Sequence, residues 1–113
     1  MENLIHVGGK TKLFPNEVSY FEADENYTII HYASGTKSIV PTTLKLIENR
    51  IGIEYGFIRP NRMHLINLEF IKDIQDAEIS LKDLSKVVVS RRRIPTIQKM
   101  CKLYWEQFPK YIC

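Results

Sequence analysis

A mainly β chain of short strands, with one short inserted helix and a C-terminal helix, is what this sequence predicts. Three observations carry the expectation. Short runs rich in β-branched and aromatic residues recur along the chain, Gly, Pro, Asn and Asp interrupt them at close intervals, and only two segments switch to helical spacing. With 113 residues, 44% of them hydrophobic and 26% charged, the chain fits one domain around one core, spanning 1–113.

In order, "LIHVGG" is short and apolar, and "KTKLF" alternates. "EVSYFEA" places Val18, Tyr20 and Glu22 on one face and Ser19, Phe21 and Ala23 on the other. "YTIIHYA" has the composition of a half-buried strand. Gly8-Gly9, Pro15-Asn16, Asp24-Glu25-Asn26 and Ser34-Gly35 punctuate these runs, which predicts hairpins. In "PTTLKLIENRI" the period changes: Leu44, Ile47 and Ile51 share a stripe, Thr42 or Thr43 can cap the first turn, and Gly52 follows the end. A helix of roughly three turns is expected, its stripe packed on the sheet.

"GFIR", "MHLINL", "FIKDIQ", "EISLK" and "KVVVS" then read as strands separated by Pro60-Asn61, Asp76-Ala77 and Asp83-Leu84-Ser85. Toward the C terminus Ile94, Ile97, Cys101, Tyr104 and Phe108 recur at helical spacing, predicting a helix over about 92–108 that Pro109 stops. Pro95 fits only in its first turn, where the missing N–H breaks no bond, and Ser90 is the cap or turn residue. Tyr104, Trp105 and Phe108 exceed what one apolar stripe needs, so part of that surface is expected to serve a homodimer contact.

Other classes are disfavoured. No run approaches the roughly 18 apolar residues of a membrane span, and "MENLIHVGGK" lacks the pattern of a signal peptide, so the cytoplasm is the expected compartment. Cys101 reads as a buried apolar residue and Cys113 as a terminal thiol; neither has metal-ligand spacing, and no cofactor or metal is expected. Ser90 has no nearby His or Asp, carboxylates are scattered, and no phosphate-binding glycine loop exists, so an enzyme is not expected. A catalytic pair of His31 and His64 is weighed against a half-buried strand histidine and a loop-edge one, and the latter reading is preferred.

Charge points elsewhere. The net charge of +3 hides a segregation: residues 57–67 and 86–102 carry eight basic side chains and no acids, while the rest carries eight basic and thirteen acidic. "FIRPNRMHLIN" sets Arg59, Asn61, Arg62 and His64 around a proline in a strand-forming stretch. Arg91-Arg92-Arg93 sits between an apolar strand and an amphipathic helix, where cations oppose the helix dipole by about 0.3–1 kcal/mol each. A locally unfavourable choice suggests another use. Guanidinium forks match phosphate oxygens and the edge of guanine, and asparagine matches adenine, which suits duplex DNA.

"FEADENYTIIHY", the capped helix "TTLKLIENRI", "GFIRPNRMHLIN" and "KVVVSRRRIPTI", in that order, resemble the LytTR family of bacterial DNA-binding domains over roughly residues 3–104. The resemblance implies an elongated arrangement of short, mostly antiparallel strands with one small helix inserted. It also implies that loops from the sheet, rather than a recognition helix, enter successive major grooves, often on paired sites near one helical turn apart. Carried over by position, the base contacts fall on Tyr27, Arg62 and Arg92. Asn26, Arg59, Asn61, Arg91 and Arg93 lie beside them as contacts to phosphates or neighbouring base edges. Two departures stand out: Asn61 and Met63 replace the His and Ser common around the central arginine of the second loop, and Asp24 and Glu25 beside Tyr27 repel phosphate, a turn role being the better reading.

The resemblance thus implies sequence-specific binding of double-stranded DNA by a transcriptional regulator of the response-regulator type. Family members commonly carry a receiver domain ahead of this module; none is expected ahead of it here, so control is expected from a partner, from expression level or from an attached domain. The alternatives are a small β-rich interaction module whose basic face docks an acidic protein, and an RNA binder using Tyr27, Tyr32 and Phe57 for stacking.

Overall fold

The period-two runs become strands and the two stripes become helices in the computed structural model of the protein, which describes residues 4–8 and 10–107. In chain order these are β1 (Ile5–Gly8), β2 (Thr11–Leu13), β3 (Val18–Asp24), β4 (Tyr27–Tyr32), β5 (Lys37–Val40), α1 (Leu44–Ile51), β6 (Phe57–Asn61), β7 (His64–Asn67), β8 (Ile71–Gln75), β9 (Glu78–Leu81), β10 (Lys86–Val88) and α2 (Ile94–Gln107). The strands form a β1-β2 pair, a five-stranded sheet ordered β5-β4-β3-β7-β6, and a three-stranded sheet ordered β10-β9-β8. Every pairing is antiparallel.

The five-stranded sheet is covered on both faces, so adjacent residues of one strand enter different cores. Phe57 and Leu65 join Val18, Phe21 and Ile30 under α1 and the β1-β2 pair. Their neighbours Ile58 and Ile66 join Ile71, Ile79, Leu81 and Val87 between the two larger sheets and α2. Each buried Ile, Leu or Phe contributes about 1.5–3 kcal/mol by leaving water, so this doubled burial is the main stabilising term.

Several local expectations change. On β3 the register slips between Val18 and Tyr20, so Val18 faces the same core as Phe21 while Tyr20 faces the other. A bulge adds one unpaired residue, which breaks the strict alternation read from the sequence. Helix α1 has eight residues rather than three turns. Thr43 caps it, its hydroxyl accepting from the Leu46 amide, and Gly52 closes it at φ 24°. Thr42 is instead buried; its carbonyl accepts from Thr28 Oγ1 at 2.6 Å. Gly8, at φ 108°, makes room for it: a Cβ there would lie 1.5 Å from Thr42 Oγ1.

Pro60-Asn61, expected to separate strands, lies within β6, and the turn falls at Arg62-Met63. Proline cannot donate to a ladder, and the β6–β7 register accordingly breaks between Ile58 and Asn61. The Pro60 carbonyl accepts instead from the Ser90 amide at 2.9 Å. Arg91–Arg93 form a single 3-10 turn, so α2 begins at Ile94, with Pro95 in its first turn. Ser90 acts through its backbone: its carbonyl accepts from the Arg93 amide at 2.8 Å and its hydroxyl makes no capping bond. Cys101 is fully buried, and burial pushes its thiol up to about 12. Gly9, Phe108, Pro109 and Cys113 lie outside the described residues.

Candidate nucleic-acid interface

Three connections of this scaffold lie in a row. The first is the β3–β4 hairpin, where Asp24 pairs with Tyr27 and Glu25 sits at φ 57°. Glu25 and Asn26 therefore form the turn, with Asp24 closing β3 and Tyr27 opening β4; Asn26 and Tyr27 are exposed, Tyr27 by 50%. The second is the β6–β7 turn with Arg62 and Met63 at its tip. The third is the β10–α2 connection, Val89 to Arg93.

Backbone hydrogen bonds hold the row together. The Ala23 amide donates to the Met63 carbonyl at 2.8 Å, tying the first connection to the second. The Ser90–Pro60 bond ties the second to the third, and Arg93 Nη1 reinforces it by donating to the Arg59 carbonyl at 3.0 Å. The arginine triplet and the proline-bearing end of β6 are thus neighbours.

The sequence-predicted residues divide into two groups. Arg62, Arg91 and Arg92 are exposed, and their side chains make no hydrogen bond or ion pair with the described residues. Arg59, Asn61 and Arg93 are engaged internally. Arg59 Nη1 donates to Glu48 Oε1 at 2.6 Å, Nε to the Asn61 carbonyl at 3.1 Å and Nη2 to the Arg62 carbonyl at 2.8 Å. Asn61 Nδ2 donates to the Val88 carbonyl at 2.6 Å, while its Oδ1 accepts from the Met63 amide at 2.7 Å and from His64 Nδ1 at 3.1 Å. Sequence reasoning missed Glu48 and the Val88 carbonyl, because nothing local marks a partner supplied by a distant element. Of the aromatic residues weighed for base stacking, Phe57 is buried and Tyr32 half-buried, its hydroxyl 2.9 Å from Ser38 Oγ.

His31 and His64 each lie near Tyr20, whose ring stacks on His31 at 4.0 Å and lies 5.9 Å from His64. His31 Nε2 donates to Glu22 Oε1 at 2.8 Å, so each imidazole is held by a structural partner. Among the described residues no group of His, Cys, Asp and Glu is placed to hold a metal ion. Burial holds the His64 imidazole below its ordinary value of 6.5, with His31 adding to the effect and Glu22 opposing it. A depressed histidine contributes stability that is present above the unfolded value and lost as pH falls through the folded one. Urea unfolding at a series of pH values should therefore show stability declining below roughly pH 6.5, and His64→Gln should flatten that decline.

Short strands in three antiparallel sheets, with one inserted helix and a C-terminal helix, define the class as a mainly β domain, with cationic connections at β6–β7 and β10–α2. The chain matches the family model of the LytTr DNA-binding domain over residues 9–102, and it belongs to that family. Among solved structures it is similar to the LytTr DNA-binding domain of a protein described as a methyl-accepting/DNA response regulator from Bacillus cereus. That match has a TM-score of 0.69 at 19% identity, covering 88% of this chain and 94% of that one, a likeness of fold. A search of curated proteins gave no match. No helix among the described residues is long and apolar enough to cross a membrane.

Proposed function

We propose that the chain binds duplex DNA sequence-specifically as a bacterial transcriptional regulator in the cytoplasm, its sheet connections entering successive major grooves. The observation that carries this reading is the hydrogen-bonded row of three turns with three unengaged arginines on it. In this reading Arg62 and Arg92 read base edges from the second and third turns, and Tyr27 packs against a base from the first. Arg91 and Asn26 hold phosphate or flanking edges, whereas Arg59, Asn61 and Arg93 act mainly by shaping the turns.

Paired sites one helical turn apart would be occupied by two copies, which is where a homodimer contact would matter. The test is a selection of bound sequences from a random duplex pool, followed by titration at several salt concentrations. A recovered motif, with binding that weakens steeply as salt rises, is the expected result. Equal affinity for every duplex, or preference for single-stranded RNA, would reject it; no nucleic-acid binding at all would favour an acidic protein as the partner of the basic face.

A further inference from the structure

Arg59 is where the second turn meets the helix on the far side of the sheet. Its side chain is only 15% exposed, and a guanidinium so buried needs a partner for its charge and acceptors for its donors. Glu48, half-buried on α1, supplies the charge at 2.6 Å. With Nη1 held there, the remaining edge of the fork reaches the carbonyls of Asn61 and Arg62 at 3.1 and 2.8 Å, on the backbone that enters the turn tip. A planar group fixed at three points fixes the peptide planes it touches, and therefore the direction in which Arg62 leaves the backbone.

We propose that Glu48 is a positioning residue for DNA recognition, acting through Arg59 to set the presentation of Arg62. The inference rests on the reading of Arg62 as a base contact. Glu48 belongs to a helix that supplies none of the three turns and its side chain is paired with Arg59, so its effect on selectivity passes through the clamp. Removing its charge would by itself attract DNA more strongly, since one acid fewer opposes the phosphates. Loss of the clamp acts oppositely on selectivity, and the two effects are separable.

The experiment compares Glu48→Gln and Arg59→Lys with the parent, each with and without Arg62→Ala, on a preferred duplex and a random duplex. Amide exchange at Met63 is followed without DNA. Lysine keeps the charge at position 59 and loses the planar fork, while glutamine keeps an acceptor at position 48 and loses the charge, so both variants weaken the same clamp by different means. Expected for each is a fall in selectivity of about five- to tenfold, with random-duplex affinity unchanged or higher for Glu48→Gln, and faster exchange at Met63. In the Arg62→Ala background the same changes should leave selectivity where it is.

A selectivity loss of equal size in both backgrounds would overturn the proposal, as would unaltered Met63 exchange in both variants. Should Arg62→Ala alone keep full selectivity, the assignment of Arg62 fails; faster Met63 exchange would then still uphold the clamp, but its role in recognition would be overturned.

Discussion

Replacing Asn67 with alanine is expected to lower the unfolding free energy by about 3 kcal/mol, the largest stability loss expected from any single polar side chain here. Asn67 is 3% exposed and makes three hydrogen bonds from one amide group. Its Nδ2 donates to the carbonyls of Pro15 and Val18 at 3.2 and 3.0 Å, and its Oδ1 accepts from the Glu69 amide at 3.0 Å. Those bonds join the end of β7 to the chain entering β3 and to the 3-10 turn that leads into β8, so one side chain ties together segments feeding both cores. Alanine would leave two carbonyls and one amide in places water reaches poorly. Aspartate should cost at least as much, because it keeps the acceptor for Glu69 but turns a charged oxygen toward two carbonyls. Urea denaturation provides the measurement. A loss under about 1 kcal/mol would mean that water replaces the side chain and that this junction is not closed.

Much of the architecture could be read from the residues because period and punctuation are local properties. Leu44, Ile47 and Ile51 with Thr43 and Gly52 announce α1, and Tyr27 to Tyr32 announce β4, without reference to anything distant. What failed to show was decided across the chain. The slip at Ser19 exists because Val18 must face the core under α1 while Tyr20 faces His31, a conflict that appears only once two cores exist. The sequence places Pro60 in a turn by composition; it lies in β6 because the Ser90 amide, thirty residues away, takes its carbonyl.

The candidate site divides the same way. Charge segregation singled out the two segments that carry the unengaged arginines, and a balance of −5 outside them made the clustering visible. It could not distinguish Arg62 and Arg92, which remain unengaged, from Arg59 and Arg93, which are committed to Glu48 and to a carbonyl. An arginine that shapes a turn and an arginine that projects from it have the same letter. Only the position of an acceptor on another element separates them.

Arg92→Ala provides the sharpest functional consequence of that separation. On a preferred duplex it is expected to cost about 1–3 kcal/mol and to relax specificity at the position it reads. Arg91→Ala should behave differently, weakening all duplexes alike and reducing the salt slope by about 0.9 for the lost phosphate contact. Arg93→Ala removes the bond to the Arg59 carbonyl, so it should lower stability as well as affinity. Arg92 has no such bond, and it stands in the turn immediately before α2, where a cation opposes the helix dipole. Its removal should leave thermal stability unchanged or raise it by a few tenths of a kcal/mol. Parallel measurement of melting temperature and of affinity for preferred and random duplexes therefore discriminates. A variant that holds or gains stability while losing selectivity has lost a contact to DNA, because damage to the scaffold would move both quantities downward.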